Sequence, residues 1–194
     1  MANANEGFLV LPRLVPPTTA VLDRPFIAAF HTVFVEKLKE PRLSCAQGRL
    51  YRNSAGTTKI ELLQPNTPEK GVTFAQRWSP SDRKMEVYVE GKQSIWPASI
   101  EEVWLPRGGT GPLVHMKRTD ERRLIHGQEC RRIQLWLPEE DPNLITNEVW
   151  ICEELAIVMS DMVETRTQLS HWELNCIDLQ EPDPESLDLP GENR

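Results

Sequence analysis

Between Met85 and Glu90 the chain alternates without a fault. Met85, Val87 and Val89 are apolar, and Glu86, Tyr88 and Glu90 stand beside them. A two-residue period predicts a half-buried antiparallel strand, one face packed and the other wet. The same reading extends along most of the chain. Residues 43–51 and 57–63 form two strands about the turn Asn53-Ser54-Ala55-Gly56, where Gly56 is free to take a positive φ. Further strands are expected over 72–78, 93–96, 130–137, 145–152, 155–163 and 166–179. Residues 26–38 are ambiguous. Phe26, Ala28, Phe30, Thr32 and Phe34 alternate with Ile27, Ala29, His31, Val33 and Val35, so both faces are largely apolar. A strand is the better reading, with a short helix as its rival. Residues 99–105 read as one or two helical turns capped by Ser99.

Connections between these segments are short, so successive strands should pair as an antiparallel meander. The predicted fold class is mainly β. It is a single strongly curved antiparallel sheet, half-barrel-like, of about eight to ten strands with one or two short helices. Residues 1–22 form an irregular lead-in, 23–180 one β-rich domain, and 181–194 an acidic, proline-containing tail expected to lie extended or to fray.

Composition narrows the function classes. A net charge of −7 argues against a nucleic-acid partner. The local basic set Arg122, Arg123, Arg131 and Arg132 reads as a solvated strand face. No apolar run reaches the roughly 20 residues of a membrane-spanning helix. Residues 8–15 carry Pro12 and Arg13 and do not read as an export signal, so the sequence as written reads either as cytoplasmic or as a mature form whose export signal has been removed. Cys45, Cys130, Cys152 and Cys176 show no Cys-x-x-Cys spacing. Buried thiols are the first reading, with one or two disulfides as the alternative.

Candidate chemistry is sparse. His31, His115, His126 and His171 form no spaced pair, so the sequence gives no metal site, and no cofactor motif is present. There is no Gly-x-Ser-x-Gly elbow, and Glu153 and Glu154 beside Cys152 oppose a thiolate. The Gly/Pro-rich run 106–112 lacks a following Gly-Lys-Ser/Thr and reads as a loop. The reading is non-enzymatic; an enzyme would need a cleft gathering His171, Glu148 or Cys152 with strongly perturbed pKa values. Six tryptophans are more informative, since a curved sheet lined with tryptophan and methionine can leave an apolar hollow. The wall residues expected on this basis are Trp78, Met85, Val87, Trp136, Trp150 and Trp172.

Several segments in fixed order carry a resemblance. They are Leu50-Tyr51-Arg52-Asn53-Ser54-Ala55-Gly56, Ile125-His126-Gly127, Glu148-Val149-Trp150, and Glu181-Pro182-Asp183-Pro184 with Pro190. Together they resemble an uncharacterised bacterial family of secreted β-rich proteins, over roughly Arg24 to Pro190. Thr57 stands where that family usually has arginine, and Asp120-Glu121-Arg122-Arg123 replaces its usual Leu-Gly start. The layout is more distantly similar to the lipoprotein-carrier (LolA/LppX-like) fold, a curved sheet around an apolar cavity. The resemblance implies a periplasmic or secreted protein holding a lipid or hydrophobic small molecule. The competing expectation is a protein-interaction or envelope-sensing module that binds a protein partner through a sheet edge or the acidic loop expected over 138–142.

Overall fold

The computed structural model describes residues 21–37, 41–63, 71–82, 84–89, 92–97, 115–136, 146–164 and 168–192. Its strands are β1 (Phe26–Glu36), β2 (Arg42–Arg52), β3 (Thr58–Leu63), β4 (Val72–Ser79), β5 (Lys84–Val89), β6 (Lys92–Pro97), β7 (His115–Ile125), β8 (Gln128–Trp136), β9 (Thr146–Cys152), β10 (Ile157–Glu164) and β11 (Gln168–Asp178). All join one 11-stranded sheet in the order β6-β5-β4-β3-β2-β1-β11-β10-β9-β8-β7. Every pairing is antiparallel. The sheet is curled and unclosed, as the expected fold class requires. No helix among the described residues is long and apolar enough to cross a membrane. The expected helical turns at 99–105 and the loops 106–112 and 138–142 lie outside the described residues.

Phe26–Glu36 is a strand, and it is the central one. Its burial alternates from Phe26 through Thr32, and both its edges are paired, with β2 and β11. Phe26, Phe30 and Phe34 are four residues apart, a spacing that fits one face of a strand and one stripe of a helix alike. Pairing on both sides decides between them, because each backbone N–H and C=O then has a ladder partner.

Residues directly opposite in antiparallel strands share a face. The register therefore traces one face across the sheet: Phe26–Arg52–Thr58–Trp78–Met85, then Ala28–Leu50–Ile60, and Thr32–Trp172–Asp161–Val149–Ile133. This inner face carries most of the core, with Phe26, Phe30, Leu50, Trp172 and Leu174 fully buried. The Phe30 and Trp172 rings meet at 5.7 Å. Phe30 also lies over Gly48, its direct partner in β2. A Cβ on Gly48 would stand 2.3 Å from that ring and 2.2 Å from the Glu61 carbonyl oxygen, so only glycine fits. Gly56 has the expected positive φ, at 82°. It closes a turn in which its N–H donates to the Asn53 carbonyl and the Thr57 N–H donates to Asn53 Oδ1.

The eleventh strand, β7, is one the hydrophobic pattern does not reveal. Its sequence HMKRTDERRLI has no apolar alternation because it is an edge strand with little to bury. Its arginines are ion-paired: Arg122 with Glu129, Arg118 with Glu153, and Arg123 with Glu148. Arg131 and Arg132 of β8 pair with Glu153 and Glu121. The basic set is thus charge-balanced but does not form one solvated face: register puts Arg122 and Arg131 on one side of the sheet and Arg123 and Arg132 on the other, and Arg131 and Arg132 are partly buried.

The C-terminal segment departs from expectation: instead of fraying, it docks. Its 3-10 helix, Pro184–Leu187, and the residues around it pack over β2, β3 and β4 on the outer face, burying Leu187 and Leu189. Lys59 Nζ donates to the carbonyls of Ser186 (2.7 Å) and Asp188 (2.8 Å). Arg77 donates to the Leu187 carbonyl and to Glu192, while also pairing with Glu86. Glu181 receives both the N–H and the hydroxyl of Ser54, so the tail holds the β2–β3 turn. Acidic composition alone reads as solvated, but two sheltered cations beneath the segment, Lys59 and Arg77, reverse that reading.

Candidate functional site

Two regions hold the features from which a function can be argued, one on each face of the sheet. On the inner face, Trp78, Met85 and Val87 form a small apolar cluster separate from the main core, with Phe74 packed against both. Trp172 shares this face but belongs to the main core. Between the two clusters lie Arg52 and Thr58, in the same row as Trp78 and Met85.

Arg52 is the unusual member of that row. It is 4% exposed, and its Nε donates to the Arg24 carbonyl at 2.8 Å. Its guanidinium lies over the Phe26 ring at 4.7 Å, while Nη2 has no hydrogen-bond partner. No ion pair found among the described residues includes it. Burial lowers its pKa to about 10, which still leaves a full positive charge at neutral pH. Trp172 Nε1 is a second buried donor without a partner on this face.

Trp150 sits on the opposite face from Trp172. It pairs with Ser160, which pairs with Glu173, which pairs with His31. Its indole donates to Glu148 Oε1 at 2.6 Å and lies 4.3 Å under the Arg123 guanidinium. Trp136 ends β8, where its backbone pairs with His115. Of the six expected wall residues the structure brings together Trp78, Met85 and Val87, sets Trp172 elsewhere on the same face, and turns Trp150 to the other. The cause is register. A bulge at Met159 in β10 shifts the parity of β9 relative to β10 and β11.

The outer face holds a polar cleft of about 140 Å³ lined by Arg123, Glu148, Ser160, Met162, His171 and Glu173. At its β1 side, His31, His171 and Glu173 place their donor atoms within 4.8 Å of one another. His171 Nε2 is 3.6 Å from a Glu173 oxygen, and the two imidazole rings meet edge to face at 5.7 Å. His31 Nδ1 is 2.5 Å from Asn175 Oδ1. Sequence reasoning missed this constellation because its members come from strands about 140 positions apart. The cleft does gather His171 and Glu148, but Cys152 stays buried in the core cluster beside Leu155 and Ile157.

No protein-family model and no curated protein matches the chain. Among solved structures, the chain is similar to the MucA/MucB complex of Pseudomonas aeruginosa, with 13% identity, a TM-score of 0.50, and 93% of this chain and 59% of that one covered. A structure of MucB aligns at 12% identity and a TM-score of 0.49, over 93% of this chain and 61% of that one. A LolA superfamily protein from Nitrosomonas europaea aligns at 8% identity and a TM-score of 0.40, over 92% of this chain and 98% of that one. The chain thus spans about three-fifths of the MucB chains it matches. These likenesses concern the fold.

Proposed function

We propose that this protein is an extracytoplasmic, non-enzymatic binder of an amphiphile, a lipid or lipid-like molecule with an anionic group. The observation that carries the reading is Arg52, a buried cation with an open donor on the inner face. A guanidinium in such surroundings is costly unless an anion reaches it. Trp78 lies two strands further along the same row, roughly 10 Å away at about 4.8 Å per strand. An acyl chain anchored by its carboxylate or phosphate at Arg52 would run towards Trp78, Met85 and Val87. Binding would then be burial of apolar surface oriented by one charge-assisted pair, with no bond made or broken. The resemblance in layout to lipoprotein-carrier proteins agrees with this reading and with an envelope location.

Native mass spectrometry of gently purified protein, followed by solvent extraction, tests it. The expected result is a reproducible added mass that extracts as an anionic amphiphile. Titration with a fatty acid should change tryptophan emission, and Arg52→Met should weaken that response. A clean unliganded mass, with no emission change on adding fatty acids or phospholipid, would overturn the reading.

A second reading rests on β7. This strand is 11 residues long, lies at the sheet edge, and exposes Leu124 at 73%. Such an edge can accept an added strand from a protein partner. The similar Pseudomonas aeruginosa structure is itself a complex, of MucA with MucB. Substituting proline at Arg122 should abolish partner capture if the edge is used, and leave amphiphile binding intact.

A further inference from the structure

The geometry points to a divalent transition-metal site on the outer face, formed by His31, His171 and Glu173 and taking a borderline cation such as zinc. It is independent of the amphiphile reading, because its residues lie on the opposite face.

Three observations converge. Two imidazoles and one carboxylate are a donor set that suits zinc, copper or nickel and does not suit magnesium or calcium, which prefer oxygen alone. The donor atoms lie within 4.8 Å of one another, and the His171–Glu173 pair is already at 3.6 Å. Tetrahedral zinc with bonds of about 2.0–2.2 Å sets its donors roughly 3.4 Å apart. Side-chain adjustments of about 1 Å would therefore complete the site without moving the strands.

The strands themselves fix the arrangement. His31 lies directly opposite Glu173, and Val33 directly opposite His171, in the stretch of the β1–β11 ladder that runs uninterrupted from Phe30 to Glu36. All three donors thus project from one rigid two-strand platform at the centre of the sheet, rather than from loops.

The third observation is Asn175. It is the extra residue of a β-bulge, standing between Cys176, which pairs with Ala29, and Leu174, which pairs with Phe30. Bulges re-aim side chains, and this one brings a carboxamide against His31. With Asn175 Oδ1 accepting from Nδ1–H, the His31 tautomer is fixed and Nε2 keeps its lone pair. Orientation of a metal-binding imidazole by a hydrogen bond from its other nitrogen is the usual supporting arrangement. Glu148, in the same cleft, is occupied by Trp150 and Arg123. Three protein donors therefore leave a fourth position for water or for a donor on a bound partner.

The test uses the full chain without a histidine tag, stripped with chelator and titrated calorimetrically with zinc chloride near pH 7.5, with magnesium chloride as control. The expected result is one zinc per chain and no magnesium uptake. His31→Ala and His171→Ala should each weaken zinc binding more than about 100-fold, beyond the 10–100-fold range of outer-shell losses. Asn175→Ala should weaken it by about tenfold. Both histidines are half-exposed, so these variants should fold, which tryptophan fluorescence checks. The exposed thiols Cys45 and Cys176 are rival ligands, and Cys45→Ser/Cys176→Ser separates them. Zinc uptake that vanishes in the thiol variant, or that persists unchanged in both histidine variants, would overturn the proposal, as would no uptake.

Discussion

Replacing Lys59 with methionine should be among the most damaging single changes outside the apolar core. Lys59 and Glu61 are both buried, their side chains 5% and 6% exposed, and they pair at 3.0 Å. The same ammonium binds two carbonyls of the docked C-terminal segment and lies 5.4 Å from the Tyr51 ring. Methionine keeps the length and the apolar stem but removes the charge. Glu61 is then left buried, supported by the Tyr51 hydroxyl at 3.1 Å and by Arg49 at 3.7 Å. Breaking one side of a buried ion pair costs about 3–5 kcal/mol, and this residual support places the cost towards the lower end. For a chain of this size that lowers Tm by about 6–20 °C. Urea unfolding followed by tryptophan emission measures the loss, and limited proteolysis reports whether the segment after Gln180 is released. The double variant Lys59→Met/Glu61→Gln removes both charges while keeping an acceptor for Tyr51. It should recover at least about half of the lost stability, since the penalty is mainly the uncompensated carboxylate. A loss below about 1 kcal/mol in the single variant, or no recovery in the double, would refute this account of the pair.

Other outcomes follow from the same structure. Gly48→Ala should cost about 3 kcal/mol in urea unfolding, the upper end of the usual overpacking range, because the new methyl overlaps both the Phe30 ring and the Glu61 carbonyl. A thiol reagent should react quickly with Cys45 and Cys176, which are exposed, and slowly with Cys130 and Cys152 until the protein unfolds. Burial pushes the Cys130 thiol up to about 11 and raises that of Cys152 as well. Stability should fall in strong base. Burial, then Glu61, push the Tyr51 hydroxyl from 10.0 up to about 12. Since folding disfavours the phenolate, that contribution is complete below pH 10 and is lost as pH rises through 12. Tyr51→Phe should flatten the stability profile over that interval, and an unchanged slope would show that Tyr51 is not its source.

Strand positions were the most legible feature of the sequence. Alternation such as Met85-Glu86-Val87 and the turn Asn53 to Gly56 are local signals, and a period of two with a positive-φ glycine is enough to specify them. The class of fold follows from short connections between such strands. The pattern fails where a strand buries little. β7 lies at an edge and satisfies its charges with Glu129, Glu148 and Glu153, so its residues carry no apolar rhythm. Phe26–Glu36 is ambiguous for the opposite reason, since residues on both its faces are largely apolar, and the strand that the sequence favoured is the one that forms.

What only the tertiary structure decided is which residues meet. Register sets the face of every side chain in a strand, and one inserted residue reverses it. The bulge at Met159 therefore puts Trp150 and Trp172 on opposite faces, although both lie in strands of similar composition. The same register brings His31 to Glu173 and His171 across a gap in sequence that no spacing rule can bridge. The acidic tail is a parallel case. Its composition reads as solvated, and the fold places Lys59 and Arg77 beneath it, because their strands pair side by side. Local sequence specifies how the backbone runs; long-range pairing specifies which charges and rings it brings into contact.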